Sequence, residues 1–228
     1  MALSAGLIVC RFIKNKFVWV PAVLCLLFSC SNHKQPEKET LPFYTSAQFD
    51  AEWINETDPK YASIHTIDTF SLHNQLGHII TKDSLNGKIY VANFFFTTCP
   101  GICPKMVSNL KVLQDSFASN DRIKLVSFSV MPWVDTVARL KIYADNNRIN
   151  PSKWLLLTGS KDRIYTLGRQ SYFAEKTLGL RKDSSEFLHT ESMLLIDAKG
   201  RIRGIYNATQ KTDIERVRDD VAVLMKEM

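Results

Sequence analysis

The 228-residue sequence has no basic stripe interleaved with aromatics, no apolar run long enough to cross a bilayer, no internal repeat and only five cysteines. The first absence argues against nucleic acid as a partner. The formal net charge is +6, but Arg11, Lys14 and Lys16 supply half of it before residue 30, in a stretch without acids. The second absence excludes an ordinary membrane span. The apolar run from Phe17 to Phe28 is about a dozen residues where ~20 are needed, and Pro21 sits inside it. With no repeat and no low-complexity segment beyond residues 31–40, the length leaves room for one domain plus a leader.

What is present has the balance of a globular protein, 45% apolar and 23% charged. The N-terminus reads as an export signal, because a positive region precedes the apolar run. Leu27-Phe28-Ser29-Cys30 resembles a bacterial lipobox, in which a cysteine is lipidated after cleavage of the leader. A polar tether follows it at once. The expected organisation is a signal peptide over 1–29, then lipidated Cys30 with a tether and docking arm to residue 64, then a domain over 65–228. The expected location is the membrane surface, facing the periplasm or the cell exterior. Cys10 and Cys25 then leave with the leader, and Cys99 and Cys103 remain as the thiols, four residues apart. In an exported protein such a pair is a disulfide, a redox couple or a metal site.

Aromatics return between residues 41 and 64 (Phe43, Tyr44, Phe49, Trp53, Tyr61), so this arm is expected to dock on the domain. Strands and helices then alternate. Residues 66–72 and 78–81 read as a hairpin. Residues 88–96 (KIYVANFFF) form a near-continuous apolar run, the mark of a strand buried on both faces. A helix is expected from about Pro104 to Phe117, a strand over 122–130, and a helix over 136–146 for which Asp135 is a candidate cap. A short strand at 154–157, a helix over 161–169, a hairpin over 192–206 and a terminal helix over 211–226 complete the pattern. The fold class is α/β, a central mixed β-sheet flanked by helices. A cysteine pair between an apolar strand and a helix is the arrangement of a thioredoxin-like fold.

Cys99-Pro-Gly-Ile-Cys103 therefore lies where helix-terminal N–H groups are expected to favour thiolates, the form that acts as nucleophile and as metal ligand. In a regular helix the i and i+4 Cβ atoms are about 5–6 Å apart, wider than the ~3.5–4.5 Å of a disulfide. A shared metal tolerates that spacing better. Two thiolates make an incomplete site for most metals. Of the five histidines, His33, His65, His73 and His78 read as surface residues. His189 stands just before the 192–197 strand, where a thioredoxin-like sheet brings a loop over the cysteine pair. Position alone leaves it open.

At these residues the sequence resembles the Sco/SenC family of copper proteins. The resemblance runs from about Phe70 to Tyr206. It includes Gln75-Leu76-Gly77, the segment NGKIYVANFFFTTCPGICPKM, Ser129-Val130, Asp135-Thr136, the stretch ending at Gly159, and His189 followed by Leu195-Ile196-Asp197. It implies Cys99, Cys103 and His189 as ligands for Cu+ and Cu2+. It further implies a metallochaperone whose partner is the copper-accepting subunit of a cytochrome c oxidase. Soft thiolates and an imidazole agree with copper(I). One departure is Met131-Pro132 where the family has Asp-Pro, which makes Met131 either a packing residue or a soft auxiliary ligand. Asp135 is retained, as a cap or as support for the site.

The alternative is a membrane-tethered thiol–disulfide reductase acting through Cys99 and Cys103 on one exported partner. Against a general reductase stand the Cys-x-x-x-Cys spacing and the absence of a proline in Glu191-Ser192-Met193. A peroxidase lacks its flanking proline, and zinc remains chemically possible at a Cys/Cys/His set.

Overall fold

A computed structural model describes residues 40–174 and 191–228. The leader, Cys30, His33 and His189 lie outside the described residues. The described elements belong to one compact unit, residues 38–228.

Seven strands form a mixed sheet: β3 (Ser71–Asn74), β4 (Ile79–Thr81), β5 (Ile89–Phe95), β6 (Ile123–Ser129), β7 (Trp154–Thr158), β8 (Ser192–Ile196) and β9 (Ile202–Asn207). Their spatial order is β4-β3-β7-β6-β5-β8-β9. β5, β6 and β7 are parallel, whereas β8 and β9 run antiparallel on one side and β3 and β4 on the other. The parallel core follows from its crossovers, α1 (Cys103–Ser116) between β5 and β6 and α2 (Val137–Asn146) between β6 and β7. Two further helices are α3 (Lys161–Thr166), which continues into a wider π-type turn over Leu167–Ser171, and the terminal α4 (Lys211–Lys226).

β5 is buried at all seven positions. Alternation sends Ile89, Val91 and Phe95 into one core with α1 and α4, and Tyr90, Ala92 and Phe94 into the other with Phe128, Tyr165 and Tyr172. Asn93 on this strand is buried but satisfied, because its Oδ1 accepts from Ser127 Oγ at 2.6 Å while Trp154 Nε1 donates to the same hydroxyl at 2.8 Å. The short strands β1 (Phe43–Tyr44) and β2 (Ala51–Glu52) form a separate ribbon in the arm. Leu41 and Phe43 are buried, and Arg203 holds the arm by donating to the carbonyls of Leu41 (2.7 Å) and Pro42 (3.1 Å).

Three buried tyrosines set the alkaline limit of this fold. Burial raises the pKa of Tyr90, Tyr172 and Tyr206, and the neighbouring Asp220 carboxylate pushes Tyr206 further the same way. Each pKa in the folded state lies above the unfolded value near 10, so the folded state binds protons that the unfolded state releases. Their contribution to stability is whole below pH 10 and is lost as pH rises above it. The expected slope is at most about 1.4 kcal/mol per pH unit for each tyrosine. In Cys103→Ser, which removes a thiol raised in the same direction from an unfolded value near 9, urea midpoints measured from pH 8 to 11 should fall above pH 10, and less steeply when Tyr206→Phe is added.

Candidate metal centre

The parallel strand β5 ends at Phe95, and residues 96–102 turn the chain into α1. Cys103 is the first residue of α1, and Pro104 occupies the first turn, where its missing N–H costs nothing. Cys99 lies in the turn before the helix, so the i, i+4 spacing of a regular helix does not apply to the pair. The turn instead brings the two thiols within hydrogen-bonding reach of each other. The wide spacing expected from helical geometry, and with it that reason to prefer a metal over a disulfide, falls away.

Both cysteines are buried, Cys99 8% and Cys103 3% exposed. They are packed with Phe95, Met106, Val107 and Leu110. Burial pushes the Cys103 thiol up to about 12, opposed by a backbone hydrogen bond with Phe96 and reinforced by the Cys99 thiol and the Asp135 carboxylate. The expectation of a thiolate favoured by the helix terminus is therefore reversed for Cys103. Desolvation is the largest cause, and the Cys99 thiol and the Asp135 carboxylate act in the same direction. A metal that binds here must displace the Cys103 proton, which couples its affinity to pH. Tyr143 lies close to the same cluster. Its phenol is raised first by burial and then by Cys103, Asp135 and Cys99.

Asp135 braces the segment before Cys99 and does not cap α2. The cap is Thr136, whose side chain accepts from Arg139 N. Asp135 is fully buried, and its carboxylate accepts from Thr97 N (3.1 Å), Thr97 Oγ1 (2.5 Å) and Ser129 Oγ (2.5 Å). Arg139 Nε donates to Thr97 Oγ1 at 2.8 Å and lies 3.8 Å from the carboxylate. Thr97 is two residues before Cys99, so this network holds the start of the cysteine turn against the end of β6. The sequence assigned no bracing role to Thr97, Ser129 or Arg139, although Thr97 and Ser129 lie in the segments that carry the resemblance. The one signal was Asp135 at i, i+4 from Arg139, which is common on any helix. Met131 is half-buried, and its Sδ accepts from Thr98 Oγ1 at 3.9 Å.

The other histidines are elsewhere. His65 Nε2 is 2.8 Å from the Ser171 carbonyl and its ring packs on Phe173 at 4.6 Å. His73 and His78 are exposed, on β3 and on the turn between β3 and β4, beyond β6 and β7 from β5. Among the described residues no three or more His, Cys, Asp or Glu groups converge as a metal site. Also among them, no helix is long and apolar enough to cross a membrane. A groove of about 730 Å³ opens at the opposite pole of the sheet, between the arm and the β8–β9 turn. Several of its charges are engaged with one another, Arg203 with Asp197 and Glu227, Arg201 with Asp197, and Lys199 with Glu56.

The SCO1/SenC family model matches residues 59–226. The SCO1 protein homolog of Bacillus subtilis is 30% identical over 159 residues, covering 69% of this chain and 81% of its own length. The solved structure of BsSco, described as a member of the Sco family of cytochrome c oxidase assembly proteins with a disulfide switch, is 28% identical. It superposes with a TM-score of 0.59 over 70% of this chain and 93% of its own. Arabidopsis thaliana ScoI, solved with copper bound, is 27% identical, with a TM-score of 0.56 over 71% of this chain and 98% of its own. The residues matched by the family model include the seven-stranded sheet and the strand-to-helix turn that carries both cysteines.

Proposed function

The chain belongs to the SCO1/SenC family, and on that premise we propose that it is a copper-binding metallochaperone supporting assembly of the binuclear copper site of a cytochrome c oxidase. The observation that carries the reading is the pair of adjacent, buried thiols at the head of α1. Copper is the cargo. Cys99 and Cys103 would hold it together with His189, which the family resemblance supplies. The donor set fits: two sulfurs and an imidazole are soft to borderline ligands that suit copper(I), and a further oxygen donor or water would suit copper(II). The apolar packing around the sulfurs keeps competing water away.

Further parts of the reading rest on the sequence. Cys30 is lipidated, the protein is exported, and a tether of about ten residues lets the site reach a membrane-bound oxidase at up to ~35 Å from the anchor. Mass spectrometry of the mature N-terminus tests this part: a diacylglyceryl-modified Cys30 supports it, and an unmodified residue at or before position 30 rejects it.

A second reading is favoured by the thiols being within hydrogen-bonding reach. The pair would reduce a disulfide in the partner. One thiolate attacks a partner sulfur to form a mixed disulfide. The second thiol then displaces it, leaving Cys99–Cys103 oxidised and carrying two electrons and two protons to the partner's cysteines. The same pair would then cycle between a loading-competent dithiol and a disulfide.

The test is a titration of reduced residues 31–228 with copper(I) and copper(II), beside His189→Ala. One copper per chain is expected. His189→Ala should weaken copper(II) by more than about 100-fold, because losing a direct ligand exceeds the 10–100-fold cost of losing its outer supports. A parent that binds no copper above background, yet exchanges readily with disulfides, would leave the reductase.

A further inference from the structure

Because both cysteines are almost fully buried, a protein that exchanges metal or electrons with them must press onto this end of the sheet. Beside the cysteine turn stands a feature that copper ligation does not use. Trp133 is 52% exposed on the turn between β6 and α2. That turn is well fixed, since the Met131 carbonyl accepts from Val134 N and Asp135 N, both at 2.8 Å. Asp135 and the Thr98–Met131 contact join it to the cysteine turn. The indole and the sulfurs are thus held in a set relation.

Lys161 Nζ lies 5.3 Å from the ring centroids of both Trp133 and Tyr165, and the Arg169 guanidinium lies 5.2 Å over Tyr165. Tyr165 Oη donates to the Val130 carbonyl at 3.0 Å, which fastens this ladder of rings and cations to the end of β6. Arg139 has a 47% exposed side chain, and Lys105 is exposed in the first turn of α1. The acids on these elements near the ladder are Asp135, buried within its hydrogen bonds, and the exposed Asp162. Glu191 and Asp213 lie across the site, at the β8 and β9 ends, bonded to Asn207.

We propose that the Trp133–Lys161 face is the docking surface for the copper-accepting protein, and that this partner presents an acidic surface with an apolar recess for the indole. The proposal rests on the chaperone reading above and names the partner's chemistry. A half-exposed tryptophan flanked by cations is an anchor whose burial supplies affinity, while the cations steer approach and fix register. The recessed sulfurs make that contact obligatory for transfer.

The test uses the soluble copper-accepting domain of the oxidase from the same source. Its binding to the reduced chain, and the rate of copper(I) transfer from the loaded chain, are measured for the parent, Trp133→Ala, Lys161→Glu and Lys161→Gln. Copper(I) affinity and thermal melting are recorded for each. Trp133→Ala is expected to keep parental copper affinity but to bind the domain and transfer about tenfold more weakly. Lys161→Glu should lose about tenfold at low ionic strength, and the difference should vanish near 0.5 M salt. Lys161→Gln should fall between it and the parent. Parental binding and transfer in all three variants would overturn the docking surface and leave the chaperone reading standing. A parent that neither binds nor loads the domain overturns both.

Discussion

Cys103→Ser is expected to lower copper(I) affinity by more than about 100-fold while leaving the fold intact. The physical case is one of donor type. A serine hydroxyl is un-ionised at neutral pH and hard, whereas copper(I) is soft and takes thiolate in preference. Loss of a support outside the ligand set costs 10–100-fold, and loss of a ligand itself exceeds that. The fold survives because serine is smaller than cysteine and can keep the hydrogen bond to the Phe96 backbone. The expected destabilisation is under about 2 kcal/mol, the scale of one imperfectly satisfied buried hydroxyl. Competition with a chromophoric copper(I) chelator reads the affinity, and urea denaturation reads the fold. A variant within tenfold of the parent would remove Cys103 from the ligand set. The pH dependence supplies an independent check. With the Cys103 thiol pushed up to about 12, parental affinity should rise with pH through the neutral range, as the displaced proton becomes easier to lose.

The second large effect belongs to Asp135. Asp135→Ala is expected to cost about 3–5 kcal/mol, the range for removing one partner of a buried charge network. The carboxylate receives three hydrogen bonds from Thr97 and Ser129. Each buried donor left without an acceptor carries a penalty of about 1–3 kcal/mol. Asp135→Asn should be milder, because the hydroxyls of Thr97 and Ser129 can rotate to accept from the amide. The functional consequence follows from Thr97 being two residues from Cys99. With its anchor gone the cysteine turn loosens, and copper(I) affinity should drop 10–100-fold in any variant that still folds. Urea denaturation and the same chelator competition decide both parts. A loss below about 1 kcal/mol would show that water replaces the carboxylate and that the network is dispensable.

Element by element, local pattern was a sound guide where one residue type or period dominates. The apolar run at 88–96 announced β5, buried on both faces, and the helix expected from about Pro104 to Phe117 is α1. The hairpin expected over 192–206 is β8–β9, and Gly200 in its turn takes a positive φ of 79°. Less legible were features set by partners far along the chain. Asp135 next to Thr136 looked like a cap, since either side chain suits that position. Only the closeness of β5 and β6 turns Asp135 toward Thr97, 38 residues earlier.

The amino-acid sequence by itself determined the order of strands and helices, the family, and the place of Cys99 and Cys103 at a strand-to-helix junction, because periodicity and motif are local properties. Tertiary structure decided the sheet order β4-β3-β7-β6-β5-β8-β9, the role of Asp135 and the protonation of Cys103. It also decided that an exposed tryptophan stands beside the cysteine turn. Each of these depends on desolvation and on hydrogen bonds between groups that the crossovers α1 and α2 bring together. Neither burial nor a through-space carboxylate can be read from residues that are distant in the chain.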